Sequence, residues 1–268
     1  MFETVIKLEF IEVNAKNYSL RIEEAIKKCP DLKKYVDSIT NKFDLGNSEA
    51  LINYNQCLFR VLDGLDIEIP PEHLIPTAGL RRCIVDILYK EINPRSIIEI
   101  GTGSTAIIAQ LFALRGITAY ATEIDQNSVE SANKNIKNNL NMFSKCTIFK
   151  SDGGILDWLI EQEKGIFPVD LVLSLPPYYL HGSPLKSMNR GFLGTKNELF
   201  SYAEAEDFSI QLFNEWINHK DILPNIAILW KSQDSLFMGL DRLRYDFSES
   251  KLYRITSGTR KRILSIHN

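Results

Sequence analysis

Histidine, cysteine and long apolar runs are all scarce in this chain of 268 residues. The four histidines, His73, His181, His219 and His267, stand far apart without ligand spacing, so no metal site is expected. Cys29, Cys57, Cys83 and Cys146 include no C-x-x-C pair, which argues against a zinc knuckle or a dense disulfide framework. Buried free thiols are the expectation. No window approaches the roughly 18 uninterrupted apolar residues of a membrane helix. Glu3 and Lys7 occupy a stretch that a signal peptide keeps apolar. An intracellular, cytoplasmic chain with no membrane partner is expected. Ser183 lies in no nucleophile-elbow pattern, and no hydrolytic triad is visible.

What remains is the composition of an ordinary globular chain, 44% hydrophobic and 24% charged. The net charge of −3 argues against a surface that binds nucleic acid everywhere. The average hides an asymmetry between Arg242 and Arg262. There, seven basic residues (Arg242, Arg244, Lys251, Arg254, Arg260, Lys261, Arg262) face two acids (Asp246, Glu249). Such a segment suits either phosphate contact or a strand edge defended by charge.

Two regions differ in pattern. Residues 1 to 78 read as a small, mainly helical module, with helices over Ser19–Lys28, Asp31–Thr40 and Asn47–Leu62, the last from its polar cap and apolar spacing. Asp66-Ile-Glu-Ile-Pro-Pro71 ends that pattern, since two prolines cannot continue a helix. From Ser96 onward, short β-branched runs alternate with helical stretches, which predicts an α/β domain over 79–268 with a mostly parallel sheet of seven strands. Ligands on such sheets bind beyond the carboxyl ends of the strands. Four of those ends fall at Gly101, Glu123, Asp152 and Leu175.

Glu99-Ile-Gly-Thr-Gly-Ser-Thr105 follows a strand and opens a helix, where glycines let backbone approach a ligand. Ala106 takes the third glycine position of a dinucleotide fingerprint, so a ligand without phosphates is allowed. Twenty residues beyond Gly103, Glu123 stands at the spacing of a carboxylate that accepts both ribose hydroxyls. Asp152 in Lys150-Ser-Asp-Gly-Gly154 suits either an adenine amino group or its own turn. Together these features describe S-adenosylmethionine.

The fourth strand ends Ser174-Leu-Pro-Pro-Tyr-Tyr179, and two prolines force the chain outward there. The segment resembles the Pro-Pro-aromatic motif of methyltransferases that alkylate planar amino nitrogens, both adenine N6 and glutamine amide. An exocyclic amine delocalises its lone pair, and two acceptors pulling on its hydrogens free that pair for attack on carbon. Tyr178 would stack on a base. The first motif position is polar in such enzymes and is Leu175 here, while Ser174 alternates to the other face. Pro176, Pro177 and Tyr178 carry over; Tyr179 and His181 are further candidates.

The resemblance extends further. Pro30-Asp-Leu-Lys-Lys-Tyr-Val36, Leu65-Asp-Ile-Glu-Ile-Pro-Pro-Glu-His-Leu-Ile-Pro-Thr77 with Leu80 and Arg81, then Glu99-Ile-Gly-Thr-Gly103 and Ala121-Thr-Glu-Ile-Asp125, look like the RNA adenine-N6 methyltransferase family. That family includes the bacterial large-subunit ribosomal RNA enzyme and a eukaryotic small-nuclear-RNA relative, and the likeness covers about residues 25–268. It implies a Rossmann-like class I methyltransferase that modifies an accessible unpaired adenosine in ribosomal or other structured RNA. It also implies that Arg81 reaches the cofactor carboxylate and that Thr105 lies near the methionine moiety. Ser257-Gly-Thr-Arg260 matches less specifically, with Arg260 toward RNA. The aperiodic stretch after Tyr179 reads as a binding loop in which Lys186 and Arg190 meet phosphate. Two other functions stay open: a cofactor-binding, RNA-associated protein with little turnover, because of Leu175, and a protein glutamine N5-methyltransferase.

Overall fold

The computed structural model describes residues 9–139, 145–176, 179–180, 200–201, 205–243, 245, 248 and 250–268. In chain order, strand β1 is Phe10–Asn14, helix α1 Ile22–Lys28, α2 Ser48–Asp63, α3 Ala78–Ile92, β2 Ser96–Ile100, α4 Ile107–Ala113, β3 Thr118–Glu123 and α5 Gln126–Asn138. Then follow β4 Cys146–Lys150, α6 Leu156–Gln162, β5 Leu171–Ser174, β6 Tyr179–Leu180, β7 Phe200–Ser201, α7 Ala205–Asn218, β8 Ile226–Trp230, α8 Gln233–Leu243, β9 Lys251–Ser257 and β10 Arg260–His267.

Local chemistry sets the helix ends. The Asn47 side chain accepts the Ala50 amide at 3.1 Å to start α2, and Gly64 closes it in the left-handed region at φ 72°. Asp125 caps α5 through the Ser128 amide at 2.8 Å. β5 and β8 are buried at every residue, as expected of strands covered on both faces.

Among the described residues the main sheet has eight strands in the order β1-β9-β10-β8-β5-β2-β3-β4. β10 is antiparallel to β8 and β9; the other neighbours are parallel. The expected count of seven is therefore one short. The extra strand comes from the segment read as helical: β1 pairs with β9 from Phe10↔Leu252 to Asn14↔Thr256. The Arg254 guanidinium covers the Phe10 ring at 4.2 Å and pairs with Glu12. Leu58, Phe59, Leu65, Ile67 and Ile69 share one apolar cluster with Ile97, Leu111 and Leu173.

Two further expectations are corrected. Over Asp31–Thr40 there is only a 3-10 turn, Pro30–Tyr35, because the Asp37 carboxylate takes the Ile39 and Thr40 amides and turns the chain back. Cys29 and Cys57 are not free thiols. They form a disulfide across 28 residues that joins the end of α1 to α2 beside Ala25, Leu32, Phe43 and Ala50. Cys83 is free and buried, and Cys146 is free and half-buried.

Candidate functional site

Beyond the carboxyl ends of β2, β3, β4 and β5 lies a cavity of about 460 Å³. Its floor is the loop 101–106. Gly101 and Gly103 adopt φ of 75° and 68°, which glycine reaches without strain. Ala106, at the third glycine position, adopts φ 46° and is fully buried. The Gly101 and Thr102 amides both donate to the Thr122 carbonyl at 3.0 Å, which ties this loop to β3.

Glu123 ends β3 and holds the loop from the other side. One carboxylate oxygen accepts the Gly103 amide at 2.8 Å, and the other accepts the Ile124 and Asp125 amides at 2.8 and 3.0 Å. It is only 8% exposed. These three bonds fix the orientation of the carboxylate at the cavity wall.

Glu99 is the second buried carboxyl on the cavity wall. It accepts from the Thr102 hydroxyl at 2.6 Å and the Ala109 amide at 3.3 Å. Burial pushes it up to about 7, against those two bonds and the positive charge of Arg81; the charge of Glu123 adds to the rise. Arg81, in the first turn of α3, lines the same cavity half-buried.

Of the residues singled out in the sequence, Arg81, Glu99, Gly101, Gly103, Thr105, Glu123, Leu175 and Pro176 line this one cavity. Asp152 does not. Its side chain is exposed and accepts the Gly154 amide at 3.1 Å, so it stabilises its own turn. The cavity wall there is instead Ser151, Gly153 and Gly154. A Cβ on Gly154 would stand 2.2 Å from the Trp158 side chain, which explains the glycine. Ser174 is buried and its hydroxyl donates to the Ile100 carbonyl at 2.9 Å. Pro177, Tyr178, Lys186 and Arg190 lie outside the described residues, as do Glu3, Lys7, His181 and Ser183; Tyr179 is placed only as backbone of β6.

Much of the basic segment is neutralised within the molecule. Lys251 pairs with Glu91 at 2.5 Å, Arg254 with Glu12, and Arg242 with Asp207 at 2.6 Å. Arg260 opens β10 opposite Ser257. Ser257 and Gly258 line a second cavity of about 360 Å³ with Ala15, Lys16 and Tyr54, and Leu74 lines both cavities.

Sequence reasoning missed a polar clasp behind the loop 101–106. Asn135, Asn139 and Gln110 are buried to within 1% of full burial. Asn135 accepts the Glu68 amide at 2.7 Å and donates to the Glu68 carbonyl at 2.9 Å. It also donates to the Ser104 carbonyl at 3.4 Å. Asn139 donates to Gln110, whose own amide donates to the Thr105 carbonyl at 2.8 Å. The signal available was two asparagines four apart on one helix face.

The donor set suits an adenosine joined to an amino acid. A guanidinium is matched to a carboxylate, one buried carboxyl to an ammonium and another to ribose hydroxyls, whereas Glu99 and Glu123 together would repel a pyrophosphate.

A family model described as RNA methyltransferase matches residues 14–199. The chain belongs to that RNA methyltransferase family. A Methanocaldococcus jannaschii relative, the methyltransferase-named protein MJ0046, is 35% identical over 210 residues, covering 74% of this chain and 78% of its own. Human RNA N(6)-adenosine-methyltransferase METTL16 is 31% identical over 175 residues, covering 60% of this chain and 31% of its own. The chain thus spans about a third of METTL16. Among solved structures, the human METTL16 catalytic domain in complex with the MAT2A 3′UTR hairpin 6 superposes with a TM-score of 0.77 at 23% identity, covering 92% of each chain. The N-terminal domain of human METTL16 in complex with SAH gives 0.77 at 22% identity, covering 96% of this chain and 98% of that one. At that identity the likeness concerns the fold, a Rossmann-like methyltransferase sheet.

Proposed function

We propose that this RNA methyltransferase transfers a methyl group from S-adenosylmethionine to adenine N6 in ribosomal or another structured non-coding RNA. The observation that carries the reading is the meeting of Glu123, Glu99 and Arg81 with Leu175 and Pro176 around one cavity. When bound, the cofactor supplies a sulfonium-activated methyl group. Glu123 would accept from the ribose hydroxyls, Arg81 would bind the amino-acid carboxylate, and Glu99 would face the ammonium. The Pro176 carbonyl would accept one hydrogen of the target amine. The low polarity of Leu175 beside it keeps water from competing for the amine. An unpaired adenosine fits, because a base must leave its stack to reach a cavity at the strand ends.

We assign the RNA-contacting face to residues up to about 78 together with the β9–β10 hairpin. The adjoining second cavity, walled by both, supports that assignment. The relatives named for adenosine methylation support the choice of base.

The test is methylation of purified ribosomal RNA and a peptide release factor side by side with radiolabelled cofactor. Label in RNA is expected. Label in protein alone would replace the reading with glutamine methylation, and cofactor binding without label in either would favour the RNA-associated protein of low turnover that Leu175 suggests.

A further inference from the structure

An aromatic amine has two N–H bonds, and the Pro176 carbonyl can accept from only one. The Leu175 side chain offers no acceptor for the other, which leaves room for a second side-chain acceptor on a different wall of the cavity. Three carboxyl residues among the described residues line it: Glu99, Glu123 and Asp207. Glu99 and Glu123 are engaged with the loop 101–109 and belong to the cofactor end. Asp207 lies in the first turn of α7, and Leu175, Pro176, Asp207 and Phe208 share the cavity. Topology explains the meeting. β6, just beyond the elbow, pairs in parallel with β7, which leads into α7. The Arg242 guanidinium lies 2.6 Å from one Asp207 oxygen and holds the carboxylate in place. With about four acceptor sites a carboxylate can keep that ion pair and accept a further N–H. Gln211, one turn later, is exposed and its amide donates to Glu215 at 2.8 Å, which makes it the weaker candidate.

We propose that Asp207 accepts the second N–H of the adenine amine, the part Leu175 cannot play, and takes the proton that N6 sheds. The N6–carbon bond forms as the carbon–sulfur bond of the methyl donor breaks with its electron pair left on sulfur. The displaced proton passes to the carboxylate and then to water. This assignment rests on the adenine-N6 reading above.

Two measurements on Asp207→Ala, Asp207→Asn and the double variant Asp207→Ala/Leu175→Asn test it. The first, with the cofactor end filled by S-adenosylhomocysteine, compares binding of adenosine and of purine riboside, which lacks the amino group, by ligand-observed NMR. Wild type should prefer adenosine; Asp207→Ala should lose the preference, and Asp207→Asn, which keeps an acceptor oxygen, should retain it. The second is the kinetics of methyl transfer. In Asp207→Ala kcat should fall on the order of 10²-fold, as when a preorganised polar partner is removed, with KM for RNA little changed. Asn at position 175 should restore about tenfold of that, which a misfolded protein could not do. Unchanged preference and unchanged kcat in Asp207→Ala would overturn the assignment of Asp207 alone. A wild type that binds cofactor yet methylates no RNA would overturn the adenine-N6 reading, and the adenosine preference would still decide on Asp207.

Discussion

Asn139 grips the backbone of Asp66 from both sides: its side chain accepts the Asp66 amide at 2.8 Å and donates to the Asp66 carbonyl at 3.0 Å. Asn135 does the same to Glu68 one helical turn earlier. The side chains of Asn135 in α5 and of Asn139 just past its end thus act as a short strand for the segment 65–69, whose apolar residues Leu65, Ile67 and Ile69 point into the core. The chain that follows includes Leu74 and Pro76, both on the wall of the cavity of about 460 Å³. The clasp therefore ties the N-terminal third of the chain to the loop that carries Ser104 and Thr105.

Replacing Asn139 with Ala takes the side-chain partner from the Asp66 amide and carbonyl and from the buried Gln110 oxygen, at a cost of about 2–4 kcal/mol. Urea unfolding should show a loss of that size in unfolding free energy, and calorimetry should show several-fold weaker cofactor binding. Wild-type stability would mean that water or another side chain replaces the clasp.

Glu99 makes stability depend on pH in a calculable direction. Its folded-state carboxyl titrates near about 7, above the ordinary 4.5, because burial disfavours the ion. Below about 4.5 the group is protonated in both states and its contribution is full. As pH rises through 7 the unfolded chain has already ionised and the folded chain must follow, so the contribution is lost. Glu99→Gln should therefore gain stability relative to wild type between about pH 5 and pH 8, read from urea midpoints of the cofactor-free protein. A difference independent of pH would show that Glu99 is ionised throughout.

Glu123→Ala removes the acceptor that fixes the Gly103 amide and that, in the proposed reading, would hold the ribose. Losing two bonds to a charged group predicts a fall in S-adenosylmethionine affinity on the order of 10²–10³-fold by calorimetry. Asp152→Ala should change affinity by less than about threefold, because that side chain is exposed and caps its own turn. Equal losses in the two variants would mean that the adenine end extends over Asp152.

The Cys29–Cys57 bridge closes a separation of 28 residues, for which chain entropy predicts about 3–4 kcal/mol of stabilisation. Alkylation of the unreduced, denatured protein should label Cys83 and Cys146 alone, and dithiothreitol should lower the urea midpoint. Label on all of the cysteines before reduction would contradict the pairing.

Much of the site was legible because its chemistry is local. A short β-branched run followed by Gly101 and Gly103, with a carboxylate twenty residues on, states strand, loop and acceptor in sequence. Leu175 and Pro176 mark the next strand end in the same way. Asp152 misled because an aspartate before two glycines satisfies a turn as readily as a ligand. β1 was silent: its five residues show no clean alternation, and its reason for being a strand lies 242 residues away, where Arg254 meets Glu12. The clasp and the disulfide were illegible for a related reason. Asn139 bonds to backbone, which carries no sequence signature, and Cys57 finds Cys29 only once α1 and α2 pack. The helical reading of Asp31–Thr40 failed where the Asp37 side chain captured amides that a helix would need.

The most direct test of the account is mass spectrometry of nucleosides from RNA incubated with the protein and S-adenosylmethionine, run beside the Glu123→Ala variant. N6-methyladenosine that accumulates with wild type and is lost with the variant is the predicted result. Methylation of another base or atom, or none despite wild-type cofactor binding, would contradict it.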